Sequence, residues 1–115
     1  MIKSISLLTR KPEISREEFI RHWTEVHAPL AHAVPGVRRY VLSLIDQEPR
    51  RADIPAQEVE ADGIAELWYD DLESWRAAYA TPEGRALHAD GATFIGRIKT
   101  FITHEQVIIP RGEQA

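Results

Sequence analysis

Two segments of this 115-residue chain are apolar on both faces of an extended strand, and so short a chain has few ways to cover them. In Gly63–Tyr69 (GIAELWY), Ala65, Leu67 and Tyr69 alternate with Ile64, Glu66 and Trp68; in 37–46 (VRRYVLSLID), Tyr40, Leu42 and Leu44 alternate with Val41 and Ile45. Period-two spacing of branched and aromatic residues is the signature of strands. Helices from the same chain can cover one face of the resulting sheet. The other face, which carries Trp68, needs a cover from outside the chain, and the simplest is the same face of a second copy. A homodimer is therefore expected.

The remaining elements fall into place around these strands. Residues 2–10 (IKSISLLTR) read as a first strand that stops at Lys11-Pro12. Ser15-Arg16-Glu17-Glu18 is a capping box, which starts a helix whose apolar stripe is Phe19, Trp23, Val26 and Leu30, flanked by Ile20 and His27. Pro29 removes one helical hydrogen bond and predicts a kink or break near Ala28. Pro35-Gly36 turns the chain, and 47–62, with two prolines and five acidic residues, reads as a long solvated loop.

Asp70 or Asp71 caps a second helix with Leu72, Trp75 and Tyr79 on its apolar side. Thr81-Pro82 starts a third, running to about Asp90. Residues 97–109 (RIKTFITHEQVII) predict the last strand. The order βαββαβ is that of the ferredoxin-like fold, an α+β domain with one antiparallel sheet. It occupies 1–110, and 111–115 read as a flexible tail.

Composition narrows the function. A formal net charge of −4 and the lack of a basic stripe disfavour nucleic acid. No RNA-binding aromatic strand motif is present either. No apolar run reaches the ~18 residues of a membrane span and no signal sequence opens the chain, so a cytoplasmic protein away from membranes is expected. With no cysteine, thiolate chemistry, thiolate metal sites and disulfides are excluded.

Among the residues that remain, His27 is the first candidate for chemistry. It sits on the flank of the apolar stripe, one turn from Trp23, where an imidazole can exchange a proton with a small substrate or bond a carbonyl freed by Pro29. Tyr40 shares the alternation of Leu42 and Leu44, so its hydroxyl can orient a carbonyl or phenol, or simply pack. Trp23, Trp75 and Tyr79 lie at helical spacing and suit either core or an aromatic pocket wall. His88 and His104 are candidates for a second pocket histidine, and His22 suits a solvated or interfacial role.

A metal site is not expected: His22 and His27 are five residues apart, which splays them by about 140° on an α-helix. No phosphate-cradling glycine loop is present. Glu66, on an apolar face, needs a partner such as Arg38, Arg39 or Lys99.

Several of these segments carry a resemblance. HWTEVHAPLAHAVPGVRRYV, DGIAELWYDDLESWRAAYATPEGRALHAD and the terminal EQVIIP resemble the EthD family of dimeric α+β barrels over nearly the whole chain, apart from loop 47–62 and the last residues. The resemblance implies a homodimer whose two sheets form a barrel, with a small-molecule pocket in each subunit between helices and sheet. For function it implies one of two things. One is a non-catalytic accessory or binding role in degrading an ether or aromatic compound. The other is cofactor-independent proton transfer, such as isomerisation, cyclisation or dehydration, on a small lactone, carbonyl or phenol.

A lactone-converting member that uses neither metal nor organic cofactor has a histidine matching His27, a tyrosine matching Tyr40 and a stretch matching Phe94–Lys99. Where it has a pocket cysteine, this chain has Leu67. The expected site is therefore His27 and Tyr40 as the reacting pair, with Trp23, Leu67, Trp75, Tyr79 and His88 around the substrate.

Overall fold

The protein is described by a computed structural model covering residues 1–111. Most of the expected tail, residues 112–115, lies outside the described residues. Four strands, β1 (Ile2–Arg10), β2 (Arg39–Leu44), β3 (Gly63–Tyr69) and β4 (Ile95–His104), form one sheet in the order β2-β3-β1-β4. Every neighbouring pair is antiparallel. Helices α1 (Arg16–His22), α2 (Ala28–Leu30), α3 (Leu72–Ala78) and α4 (Pro82–Phe94) complete the ferredoxin-like α+β fold.

Local chemistry sets the element ends. The Ser15 hydroxyl accepts from the amide of Glu18, Asp71 from that of Ser74, and Thr81 from that of Gly84, each satisfying an orphan amide in the first turn of a helix. Gly36 takes the left-handed conformation (φ 87°) that its turn requires. Helix α4 continues past Asp90 to Phe94 because Phe94 is itself core, only 2% exposed. Strand β4 ends at His104 rather than at 109, because β1, its one ladder partner among the described residues, runs out at the pair Ile2–His104. Val107, Ile108 and Ile109 beyond it stand exposed.

The largest departure from the sequence pattern lies around Pro29. The helical path neither breaks nor stays regular: α1 passes into a π-helical turn, Trp23–His27, then into α2 and a 3₁₀ turn, Ala31–Ala33. The amide of Ala28 bonds back to the carbonyl of Trp23, five residues earlier. A wider turn of this kind re-phases the side chains. The buried series becomes Phe19, Trp23, His27, Ala31 and Val34, while Val26 (47% exposed) and Leu30 (37%) turn outward. The expected stripe was therefore correct at Phe19 and Trp23, and the re-phasing overturned it beyond them. His27 moves from the flank to the centre of the buried face.

Register then determines what lies beneath the helices. Tyr40, Leu67, Ser4 and Ile102 form one row across the sheet, and Leu42, Ala65, Ser6 and Thr100 form the next. Both rows face the helices, where Phe19, Trp23 and Tyr69 are fully buried. The Trp23 ring lies so close to Gly63 that a Cβ there would collide with it. Small residues in the middle of these rows leave the space that the site occupies. Among the described residues no helix is long and apolar enough to cross a membrane.

Candidate functional site

A cavity of about 560 Å³ sits between the helices and the inner face of the sheet. Ser4, Ser6 and Ala65 form part of its wall, and His27, Tyr40 and Tyr79 bring polar atoms to it. Its size suits a small organic molecule.

His27 is held from one side. Its Nδ1 lies 2.8 Å from Oδ2 of Asp90, and its ring meets Phe94 edge-on at 5.0 Å between centroids. A carboxylate only accepts, so Nδ1 carries the proton and Nε2 is the free nitrogen of the neutral ring. Burial, the largest influence, holds the imidazole below its ordinary pKa; the Asp90 carboxylate opposes this, and His22 and His88 add to the lowering. A neutral histidine with a fixed tautomer is suited to act as a base.

Tyr40 is also held in place. Its hydroxyl accepts the indole N–H of Trp23 at 2.8 Å, and an indole can only donate. The phenolic proton is therefore not used in that bond and is free for another acceptor. Burial raises the Tyr40 pKa, with the Trp23 contact opposing, so the group stays a neutral donor across the ordinary pH range. Trp23 thus serves as both core and anchor.

The other expected residues surround the same cavity. Leu67 lies on the inner face beside Ser4, Trp75 and Tyr79 come from α3 and its end, and His88 comes from α4. Tyr79 stacks on His88 with centroids 4.1 Å apart and shares a 2.7 Å hydrogen bond with the buried Tyr69 hydroxyl. Burial lowers the His88 pKa and raises those of Tyr79 and Tyr69. His32 and His104 are exposed and do not border the cavity.

Three sequence expectations need correction. His22 is neither splayed away from His27 nor purely solvated: its Nε2 lies 3.0 Å from Oδ2 of the same Asp90. The α-helical angle between the two histidines does not apply, because the π turn separates them and its wider winding brings positions five apart onto one face. Glu66 pairs with Lys3 at 2.8 Å across β1 and β3, not with Arg38, Arg39 or Lys99. Arg38 binds Asp70, and Arg39 lies over the Trp68 ring.

Asp90 escaped notice as a site residue because it reads as one more helix-end acid, 63 positions from its partner. Ser4 and Ser6 did leave a trace in the sequence. Two serines at the inward positions of a strand, between Ile2 and Leu8 on the same face, mark a polar, roomy patch on an otherwise apolar row.

A four-stranded antiparallel sheet that holds a histidine and a tyrosine at the wall of a cavity beneath its helices defines a ferredoxin-like α+β protein. Residues 11–98 match the EthD domain, and the chain belongs to that family. It is 30% identical over 108 residues to the 4-carboxymethyl-4-methylbutenolide mutase of Pseudomonas reinekei, a match covering 93% of this chain and all of that protein. The crystal structure of an EthD-family protein from Bacillus halodurans superposes with a TM-score of 0.72 at 32% identity, over 92% of this chain and 99% of that one. A dimeric ferredoxin-like protein of unknown function from Thermobifida fusca shares the fold alone: TM-score 0.64, 17% identity, 88% and 87% covered.

Proposed function

We propose that the protein is a small-molecule enzyme catalysing cofactor-independent proton transfer on a lactone, carbonyl or phenolic metabolite, with isomerisation, cyclisation or dehydration as the outcome. The observation that carries this reading is two held groups lining one cavity: His27, whose Nδ1 bonds Asp90 and so leaves Nε2 free, and Tyr40, whose hydroxyl proton is free because Trp23 already donates to its oxygen. Nε2 takes a proton from an acidic carbon or hydroxyl of the substrate, and Tyr40 donates a hydrogen bond to the oxygen on which negative charge develops. The ring becomes imidazolium, which the adjacent carboxylate stabilises. It then returns the proton at another position, completing an isomerisation without net change in the protein.

The relative that acts on a butenolide supports a cyclic oxygen-bearing substrate, and Leu67, Trp75 and the stacked Tyr79–His88 pair supply apolar and aromatic surface for its ring. A second copy is part of the proposal. Trp68 and Phe101 (46% exposed) lie on the sheet face away from the helices, and a partner sheet is the cover that fits.

The test is a panel of lactones, quinones and phenols screened by thermal shift, with each binder followed for turnover. His27→Ala is expected to lower turnover by at least about 100-fold while leaving binding nearly intact. Unchanged turnover in the variant would remove His27 from the chemistry. Binding without turnover in the wild type would overturn the enzyme reading in favour of a binding or accessory role.

A further inference from the structure

One carboxylate in this protein serves two imidazoles. Asp90 Oδ2 lies 2.8 Å from His27 Nδ1 and 3.0 Å from His22 Nε2, and its Oδ1 is 3.2 Å from the same His22 nitrogen. Both rings also rest on Phe94, one helical turn beyond Asp90, at 5.0 and 4.7 Å between centroids. The two histidines differ in their access to water: the His22 side chain is 31% exposed, Asp90 18% and His27 11%.

That asymmetry has a chemical consequence. The carboxylate at hydrogen-bond distance pulls the His27 imidazole toward the imidazolium form, against the burial that holds it neutral. The cation has no lone pair on Nε2 and cannot act as a base. A second imidazole on the same carboxylate, nearer to water, offers a cheaper place for the positive charge, since hydration is retained there. Once His22 is charged, a second cation a few ångströms away is disfavoured. The other titratable or charged groups around His27 are His88 of α4 and, bordering the same cavity, Tyr40, Tyr79 and Arg97, the last paired with Glu60. None of these supplies a second carboxylate.

We propose that Asp90 and His22 are positioning residues for His27: Asp90 fixes its Nδ1–H tautomer, and His22, by sharing that carboxylate, opposes protonation of His27, so that Nε2 stays free. This rests on the reading of His27 as the base, but it is tested without substrate. Two-bond proton–nitrogen correlation spectra of ¹⁵N-labelled protein report the tautomer and midpoint of each histidine across a pH series. In the wild type, His27 shows a protonated Nδ1 and a bare Nε2.

His22→Gln keeps a hydrogen-bond donor to Asp90 but cannot carry charge, and it raises the His27 midpoint by on the order of one pH unit. Asp90→Leu removes the anchor, lowers the midpoint and gives a mixture of tautomers. An unmoved or lowered His27 midpoint in His22→Gln, or a protonated Nε2 in the neutral wild type, would each overturn the proposal. These outcomes are separate from the fate of the base assignment, which depends on turnover by His27→Ala.

Discussion

The two faces of the sheet are built to opposite rules. On the inner face, small residues stand at the centre: Ser4, Ser6 and Ala65 are all buried, yet they leave a cavity between themselves and the helices. On the outer face the residues are large, with Ile5, Leu7, Ile64 and Trp68 only partly buried and Phe101 exposed. The polar groups differ in the same sense. Inner-face polar atoms bond one another, as in the 2.8 Å contact between the hydroxyls of Ser6 and Thr100. On the outer face, Lys3 pairs with both Glu66 and Glu105 and lies over the Trp68 ring. Closely packed interiors do not keep space without loss, so a cavity of small residues supports the proposed ligand site. A broad apolar face supports the proposed pairing with a second copy.

Four changes test this contrast. Trp68→Glu places a charge in the middle of the outer face and should weaken self-association by about 100-fold or more, read by sedimentation velocity across a dilution series. The inner cavity should keep its ligand affinity. Ser6→Leu reverses the assignment: it fills the cavity and should weaken ligand binding by at least about tenfold in calorimetry, while the dimer persists. A variant that lost both properties together would show that the two faces are not independent.

Tyr40→Phe keeps the ring and removes the donor, so kcat is expected to fall about tenfold, the equivalent of one ordinary hydrogen bond in the transition state. The smallest effect belongs to Glu66→Gln. Lys3 retains Glu105, so stability should fall by no more than about 1 kcal/mol in a denaturant titration.

The pH dependence follows from the inner face as well. Because His27 is held below the ordinary imidazole value of about 6.5, its base form is present at neutral pH, and kcat/KM should rise with pH through a midpoint below that value and then level off. Asp90 opposes the lowering, so its removal should shift the acid limb further down. A limb above 6.5 would contradict the buried, uncharged state of the ring.

The sequence made the fold legible for a definite reason. Alternation in Gly63–Tyr69, the caps at Ser15, Asp71 and Thr81, and the Pro35-Gly36 turn are local signals, and each describes a local event. His27 and Tyr40 were legible from their position in the pattern and from the family resemblance. Asp90, the His22 contact and the Lys3 partner of Glu66 were not, because each depends on two segments meeting. Glu66 sits 63 residues from Lys3, and only the β1–β3 register brings them together. The exposure of Val26 and Leu30 was illegible for a different reason: a regular helical period was assumed through a segment that does not have one.

That irregular segment also separates two design problems that a uniform helix would couple. Residues before Trp23 and after His27 are indexed on different rotational phases, so the α1 side can be altered without re-aiming the histidine on the far side of the turn. Thr24, Glu25 and Val26 within the turn are exposed, and the Thr24 hydroxyl donates to the carbonyl of Ile20 at 2.8 Å. The turn's length and its winding are matched: removing one of these three residues would restore the ordinary winding and leave the two histidines four apart, still on one helical face beside their shared acid.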